Sequence, residues 1–161
     1  MIQPETATRG DKLMANAAEL AELVASFPAE SLLAPLGDEF CVVEHVCHLR
    51  DVERRGFTPR IRSIIDQADP LLFGFDGTAV AAASDYRSEN TLDALNAFLE
   101  ARRENTAAVR AVAEPDFARV GHYEGHPPIT LDAVLAGVLN HDRDHLDRLR
   151  AMLSRAGAGG G

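Results

Sequence analysis

The sequence predicts an all-α protein, a single antiparallel four-helix bundle. Four segments repeat apolar residues at three- and four-residue steps, which is the spacing of one face of an α-helix. Strand-like alternation is scarce, and proline or glycine separates the helical segments. The 161 residues, 46% hydrophobic and 25% charged, suffice for one continuous core and are too few for two. We therefore expect one bundle domain over residues 1–155, followed by a flexible Gly/Ala tail at 156–161.

The first predicted helix covers residues 8–27. Pro28 ends it, because proline cannot continue a helix. Residues 29–37 contain a proline and a glycine and are expected to form a linker. The apolar positions of the first helix are Leu13, Ala17, Leu20 and Val24.

The second predicted helix covers residues 39–65, with Asp38 as its N-cap. Pro59 lies inside this helix and removes one backbone hydrogen bond, so a kink or a break is expected near Gly56. The following segment, 66–89, combines proline, glycine and aromatic residues. A loop of this length in a small domain is usually functional or disordered, and its aromatic content favours a functional role.

The third predicted helix begins at Asn90 or Thr91 and ends near Ala113, and the fourth follows Thr130 as N-cap and continues to Leu153. Between them, residues 117–128 are broken by glycine and proline, which predicts a small hairpin in place of a helix.

The net charge argues against nucleic acid as a partner. The chain carries 16 Lys and Arg against 25 Asp and Glu, a formal charge of −9, and no basic cluster stands apart from acidic residues. The same charge disfavours an anionic membrane surface, whereas a metal cation would be attracted. The sequence shows neither a signal peptide nor an apolar run near the roughly 18 residues of a membrane span. We expect a cytoplasmic protein that acts on a small molecule.

The two cysteines are expected to be reduced. Cys41 and Cys47 lie six residues apart in one predicted helix, where their side chains point in different directions. Lys12 stands alone against fifteen arginines and alanine is abundant, which favours a GC-rich bacterial genome.

Two histidines of the fourth predicted helix carry the strongest functional signal. His141 and His145 are four residues apart and therefore share one helix face. A buried imidazole nitrogen without a partner costs about 1–3 kcal/mol. One shared metal ion, about 2.0–2.1 Å from each nitrogen, would satisfy both rings. The alternative is two separate core histidines bonded to backbone or carboxylates. The same face carries the apolar residues Val134, Val138, Leu149 and Met152.

The spacing of this pair also matches the zinc metalloproteases, which place a glutamate directly after the first histidine as general base. Here that position holds Asp142, a shorter acid, so peptidase activity is not expected. A third ligand must come from another helix. The second helix offers His45 and His48, and periodicity does not choose between them, because this helix is apolar over most of its circumference.

The second and fourth helices resemble those of the DinB-like bundles. In that family an aromatic residue, usually Trp, is followed eight residues later by His-Leu and then by an acid. This chain has Phe40, then His48-Leu49 and then Asp51, and its fourth helix has the family's His-x-x-x-His pattern. Phe40 stands where the family usually has Trp, and this exchange of one apolar aromatic residue for another affects packing and not metal binding. Further matches occur in the family's order at Arg60-Ile61-Arg62, Asp76, Asp85-Tyr86, Arg102-Arg103 and Gly125 ahead of Thr130-Leu131.

The resemblance implies an up-down-down-up bundle with a long loop between helices two and three. It also implies a metal bound by His48, His141 and His145, and not by His45. An all-nitrogen set suits zinc, nickel or iron(II), and manganese less well. Three neutral imidazoles leave a coordination position open, as in catalytic sites. Because the unperturbed imidazole pKa is about 6.5, metal affinity is expected to fall below about pH 6.

Those members of the resembled family that have assigned activities are largely metal-dependent transferases or isomerases that use low-molecular-weight thiols such as mycothiol or bacillithiol. The resemblance thus implies a metal-dependent thiol S-transferase, in which the metal binds the thiol sulfur and lowers its pKa, and it suggests a homodimer. Three alternatives stay open: a hydrolase that acts through metal-bound water, a non-catalytic metal-binding or stress-response protein, and a bundle without metal.

Charged residues near these histidines are expected mostly at the surface. Glu44 and Asp51 lie one turn either side of His48 and either orient it or, as is commoner, face solvent. Asp142 and Asp144 are expected to point sideways into solvent.

Other candidates carry less weight. Arg102 and Arg103 could meet an anionic substrate, with at least one of them on a solvated face. His122 and His126 lie in a Gly/Pro-rich loop and are expected to be exposed.

Overall fold

A computed structural model describes residues 7–34 and 39–158. The predicted all-α four-helix bundle is confirmed, and the predicted hairpin is present as two short antiparallel strands. The helices of the described residues are α1 (Arg9–Ser26), α2 (Val42–Asp51), a π-helical segment (Val52–Phe57), α3 (Thr58–Asp66), α4 (Gly77–Ala83), α5 (Thr91–Arg110) and α6 (Leu131–Ala158). The strands are β1 (Val120–Gly121) and β2 (Ile129–Thr130), and short 3₁₀ turns occupy Ala29–Ser31, Tyr86–Ser88 and Glu114–Ala118.

Local capping explains where three of the bundle helices begin. Thr8 forms a capping box at the start of α1. The Asn90 side chain accepts a hydrogen bond from the Asp93 amide at 3.0 Å, and the Thr130 hydroxyl accepts one from the Ala133 amide at 3.0 Å. Each cap satisfies an amide that has no partner within the helix. The predicted starts of the first, third and fourth helices are therefore confirmed.

The second bundle helix is continuous from α2 through the π-helical segment into α3. It begins at Val42, because Cys41 is its N-cap and the Cys41 amide donates to the Glu44 carboxylate at 3.1 Å. The predicted N-cap, Asp38, lies outside the described residues. The break expected near Gly56 is confirmed as the wide π turn just before Pro59.

The core is divided into two apolar clusters. One contains residues of α1, α2, α5 and the second half of α6, and the other contains residues of α3 and the first half of α6 together with Leu13 of α1 and Val109 of α5. Along α6 the buried residues change from one cluster to the other between Val138 and Leu146. Residues 140–145, with both histidines of α6, therefore lie where the two clusters meet.

The segment predicted as a long loop contains α4, which packs against α2. Asp76 caps this short helix by accepting from the Ala79 amide at 2.9 Å. Helix α6 continues to Ala158, three residues into the segment 156–161 for which a flexible tail is predicted, and 159–161 lie outside the described residues. Among the helices described, none combines the length and apolar character needed to cross a membrane.

Candidate metal centre

Three histidines from two bundle helices converge inside the structure. His48 comes from α2, and His141 and His145 come from α6. One nitrogen of each ring lies within 4.8 Å of the others, and Nε2 of His48 is 3.2 Å from Nε2 of His141. Two nitrogens on one tetrahedral zinc ion, each about 2.0–2.1 Å away, are about 3.3 Å apart. The spacing therefore fits a shared divalent ion.

Burial keeps these rings neutral. His48 and His145 are 7% and 5% exposed. Desolvation, reinforced by the neighbouring His141, lowers the pKa of His48 to about 4 and that of His145 to about 2. Burial also lowers the pKa of His141. A neutral imidazole is the form that binds metal, so competition from protons moves well below the pH of about 6 expected from an unperturbed histidine.

The second nitrogens of two of these rings are unpaired. Among residues 7–34 and 39–158, Nδ1 of His48 and Nδ1 of His141 have no hydrogen-bond partner. The Gly77 backbone passes beside His48 without a hydrogen bond of ordinary geometry. When Nε2 binds a metal, Nδ1 carries the proton. A metal ion requires ring nitrogens that converge on one point and whose lone pairs are not needed elsewhere. The three histidines meet this requirement, so they fit a divalent ion.

Glycine at position 77 is needed for the close approach of α4 to this cluster. A Cβ on Gly77 would lie 2.8 Å from Cε1 of His48 and 2.9 Å from a methyl of Val52. Real Cβ atoms are not found this close to other atoms, so any larger residue must displace His48 or the start of α4.

Aromatic rings pack against the cluster on two sides. Phe40 lies 5.4 Å from the His48 ring and 5.5 Å from the His45 ring, between centroids, and Phe57 lies 6.0 Å from the ring of His141. These apolar walls lower the local dielectric and strengthen electrostatic interactions at the cluster. Phe40, the aromatic position of the motif, therefore packs directly against two histidines.

His45 is not a member of the three-histidine group, but it touches one of them. Its ring is 2% exposed, and its Nδ1 lies 2.8 Å from Nδ1 of His145. Sequence reasoning did not find this contact. Its only signal was the three-residue spacing of His45 and His48, which places two neighbouring histidines on one face of α2.

Arg102 is the centre of a second buried cluster, so it cannot meet the anionic substrate considered for it, and the member of the Arg102-Arg103 pair on a solvated face is Arg103. It is 1% exposed and forms paired hydrogen bonds with Glu53 at 2.8 and 2.9 Å and with Asp142 at 2.7 and 2.9 Å. Asp142, expected at the surface, is buried by this contact and also accepts from the Asn16 amide. Arg103 and Asp144 are exposed as expected.

A signal for the Arg102 cluster was present in the sequence. Residues 95, 98, 102, 105 and 109 follow one another at three- and four-residue steps, so Arg102 lies on the buried face of α5. An arginine on an apolar stripe requires carboxylate partners, and these come from distant positions.

Neither acid flanking His48 orients it. Glu44 caps α2, while Asp51 accepts hydrogen bonds from Arg50 at 2.8 Å and from the Tyr86 hydroxyl at 2.6 Å. Partial burial acts to raise the pKa of Asp51, but its hydrogen bonds from Arg50 and Tyr86 together have the larger effect, so the pKa is lowered. Asp51 is thus a tether between α2 and the segment before α5, and not the solvated charge expected.

The cysteines and the remaining histidines lie apart from the three-histidine cluster. Both thiols are free and buried, and desolvation raises the pKa of Cys41 and raises that of Cys47 to about 12. His126 is exposed and His122 is partly exposed beside Asp69.

The fold and the order of these motifs agree with the comparison to known families. The model of the DinB superfamily matches residues 12–148. The chain belongs to the DinB superfamily. Among solved structures, YfiT from Bacillus subtilis, described as a probable metal-dependent hydrolase with an unusual four-helix bundle topology, is similar to it with a TM-score of 0.82. The two are 21% identical, and the match covers 98% of this chain and 91% of that chain, which shows the DinB-type fold. No curated protein sequence matches this chain significantly.

Proposed function

We propose that this protein is a metal-dependent enzyme that holds a divalent ion with His48, His141 and His145 and uses it to activate a low-molecular-weight thiol for transfer. The observation that carries the proposal is the convergence of three neutral imidazoles from α2 and α6, two of them buried and that of His141 half-buried. Three protein ligands leave a coordination position for a substrate. Zinc and nickel suit the all-nitrogen set best.

When bound, the ion supplies Lewis acidity that lowers the pKa of a coordinated thiol or water. The chain's own residues hold the ligands neutral by burial, and Phe40 and Phe57 pack against their rings and exclude bulk water. The thiol must come from a second substrate, because Cys41 and Cys47 are buried with raised pKa values and do not belong to the cluster.

The surrounding carboxylates favour thiol activation over water activation. Hydrolysis at a single metal commonly uses a free carboxylate as general base. Here Glu53 and Asp142 are bonded to Arg102, and Asp51 is bonded to Arg50 and Tyr86. The described metal-ligating group contains no carboxylate. A thiol bound to the ion would need no such base, since coordination would stabilise the thiolate and its proton would be lost to solvent.

Hydrolysis is the second candidate. Its support is the similarity in fold to YfiT, which is described as a probable metal-dependent hydrolase. A metal-bound water would then replace the thiol at the open position, and proton transfer would pass through solvent.

The experiment measures metal content and turnover with the same purified protein. Wild type reconstituted with zinc or nickel should hold one ion per chain and consume mycothiol, bacillithiol or a similar small thiol in the presence of an activated aryl halide. His48→Ala, His141→Ala and His145→Ala should each lose stoichiometric metal and turnover, because each removes one of three ligands. His122→Ala is the matched control and should retain both.

The outcomes separate the candidates. Equal metal retention in the three cluster variants and in His122→Ala would contradict the metal site and therefore the proposed function. A metal-loaded protein that is indifferent to thiols but cleaves an ester or amide would favour the hydrolase.

A further inference from the structure

The second ring nitrogen of His145 distinguishes it from the other histidines of the cluster. Nδ1 of His145 lies 2.8 Å from Nδ1 of His45, whereas Nδ1 of His48 and of His141 has no partner in the described part of the chain. Because its Nδ1 is engaged by His45, Nε2 is the nitrogen that His145 has available for a metal.

The contact between these two nitrogens determines where the protons lie. A hydrogen bond needs one donor and one acceptor, and a neutral imidazole carries a single N–H. When Nε2 of His145 gives its lone pair to a metal, the His145 proton is on Nδ1 and must be donated. Nδ1 of His45 is then the acceptor, and His45 carries its own proton on Nε2.

We propose that His45 is a positioning residue of the metal centre: it accepts the Nδ1–H of His145 and so holds that ring with Nε2 toward the ion. This inference rests on the proposed function, because it requires a metal at the cluster. Metal-bound histidines usually donate their second N–H to a carboxylate, a backbone carbonyl or water. In this protein a second imidazole takes that role.

Packing holds the acceptor in place. The His45 ring is buried at 2% exposure and meets the His145 ring at 78°, with 5.1 Å between centroids. Phe40 packs edge-on against His45 at 5.5 Å. One turn of α2 therefore provides both a ligand, His48, and the residue that orients the ligand from α6. An acceptor fixed in this way loses little entropy when the metal binds.

A neutral acceptor has a chemical consequence. A carboxylate in this position would make His145 more basic and would offset part of the charge of the ion. A neutral imidazole raises the basicity of His145 less and does not offset the charge of the ion, and the nearby carboxylates Glu53 and Asp142 are paired with Arg102. The charge of the ion then acts mainly on the open position, which favours deprotonation of a coordinated thiol.

The test compares variants that keep or remove the acceptor. His45→Phe keeps an aromatic ring without an acceptor, and His45→Asn places its side-chain oxygen near the position of Nδ1. In chelator competition with zinc or cobalt, His45→Phe should bind one ion with affinity lowered about 10–100-fold, the usual effect of losing such a contact. His45→Asn should recover most of that affinity. His126→Phe makes the same exchange at an exposed position and should bind like wild type.

A spectroscopic measurement on the zinc-loaded wild type tests the positions of the protons without any variant. Nitrogen-15 NMR of its imidazoles should show His145 protonated at Nδ1 and His45 protonated at Nε2. In the His45→Phe variant, the His145 N–H no longer has an acceptor and should exchange rapidly with water. The cobalt spectrum of His45→Phe should also differ from that of wild type, because His145 is no longer held.

The opposite tautomers in wild type, or a His45→Phe protein with unchanged affinity and unchanged cobalt spectrum, overturn the inference while the metal site itself stands. A wild type that binds no metal overturns the proposed function and this inference together.

Discussion

Within residues 7–34 and 39–158 the bundle contains two buried polar clusters, and they differ in how their polar atoms are satisfied. All five N–H groups of Arg102 donate hydrogen bonds, four to the carboxylates of Glu53 and Asp142 and one to the Leu13 carbonyl. In the histidine cluster, one nitrogen of each ring points to a common centre, and Nδ1 of two rings is unpaired in the described residues.

The difference separates a structural role from a chemical one. A buried network whose charged groups are all paired holds helices in one arrangement and offers no free charge to a ligand, whereas converging lone pairs without protons are available to a cation. The two clusters are adjacent along α6, because Asp142 belongs to one and His141 to the other. The bonds between Asp142 and Arg102 thus help to fix the rotation of α6 that presents both histidines.

The largest expected effect is on stability. Arg102→Met leaves two carboxylates buried without a counter-charge, and breaking such a pair typically costs about 3–5 kcal/mol. Urea unfolding should show this loss. Arg103→Met, one position along and exposed, should change the free energy of unfolding by less than about 0.5 kcal/mol. Similar small changes in both variants would mean that the arginine cluster does not stabilise the bundle.

Acidification should weaken the metal-free protein through the histidine cluster. The folded-state pKa is lowered to about 4 for His48 and to about 2 for His145, while the unfolded value is near 6.5. Below pH 6.5 the unfolded chain therefore takes up protons that the folded chain excludes, and stability falls as the pH drops toward 4. Above pH 6.5 both states are neutral and the effect disappears.

Urea unfolding of metal-free protein at several pH values between 7.5 and 4.5 measures this slope. His145→Gln removes the histidine with the lowest pKa and should make the decline shallower, whereas His126→Gln changes an exposed ring and should have a smaller effect. Identical pH profiles for His145→Gln and wild type would show that burial does not keep this ring neutral.

The smallest effect is expected at Gly77. Gly77→Ala places a methyl group 2.8 Å from Cε1 of His48 and should displace that ring, so metal affinity should fall about tenfold, the scale of a disturbed ligand environment. The fold should persist, since α4 is short and at the surface. Gly74→Ala is the matched control, because no atom lies within 4 Å of its added carbon. Equal metal affinity in the two variants would show that the position of α4 does not affect the proposed metal site.

Local patterns accounted for much of the fold. The helix starts at Thr8, Asn90 and Thr130 follow from side chains that cap the next turn, and the irregular turn near Gly56 follows from Pro59. These features depend on a few neighbouring residues, so they can be read without a tertiary structure. The start of the second helix was less well predicted, since Cys41 is an unusual N-cap and Glu44 provides the compensating contact.

The site was predicted in part. The spacing of His141 and His145 placed both on one face, and the family resemblance favoured His48 as their companion; the structure brings these three together. The burial of Arg102 and Asp142 was missed, because the residues that pair with them are 40 or more positions away in the chain.

By itself the sequence determined four helices, their caps and a pair of histidines one turn apart, because helical periodicity and capping act over a few residues. Only the tertiary structure decided which face of α2 meets α6. Core packing and the hydrogen bonds of Arg102 set the rotation of α2 about its axis. This rotation places Nε2 of His48 beside His141 and Nδ1 of His45 beside Nδ1 of His145. Two histidines three residues apart on one helix thereby acquire different roles, because they meet different atoms of a neighbouring helix.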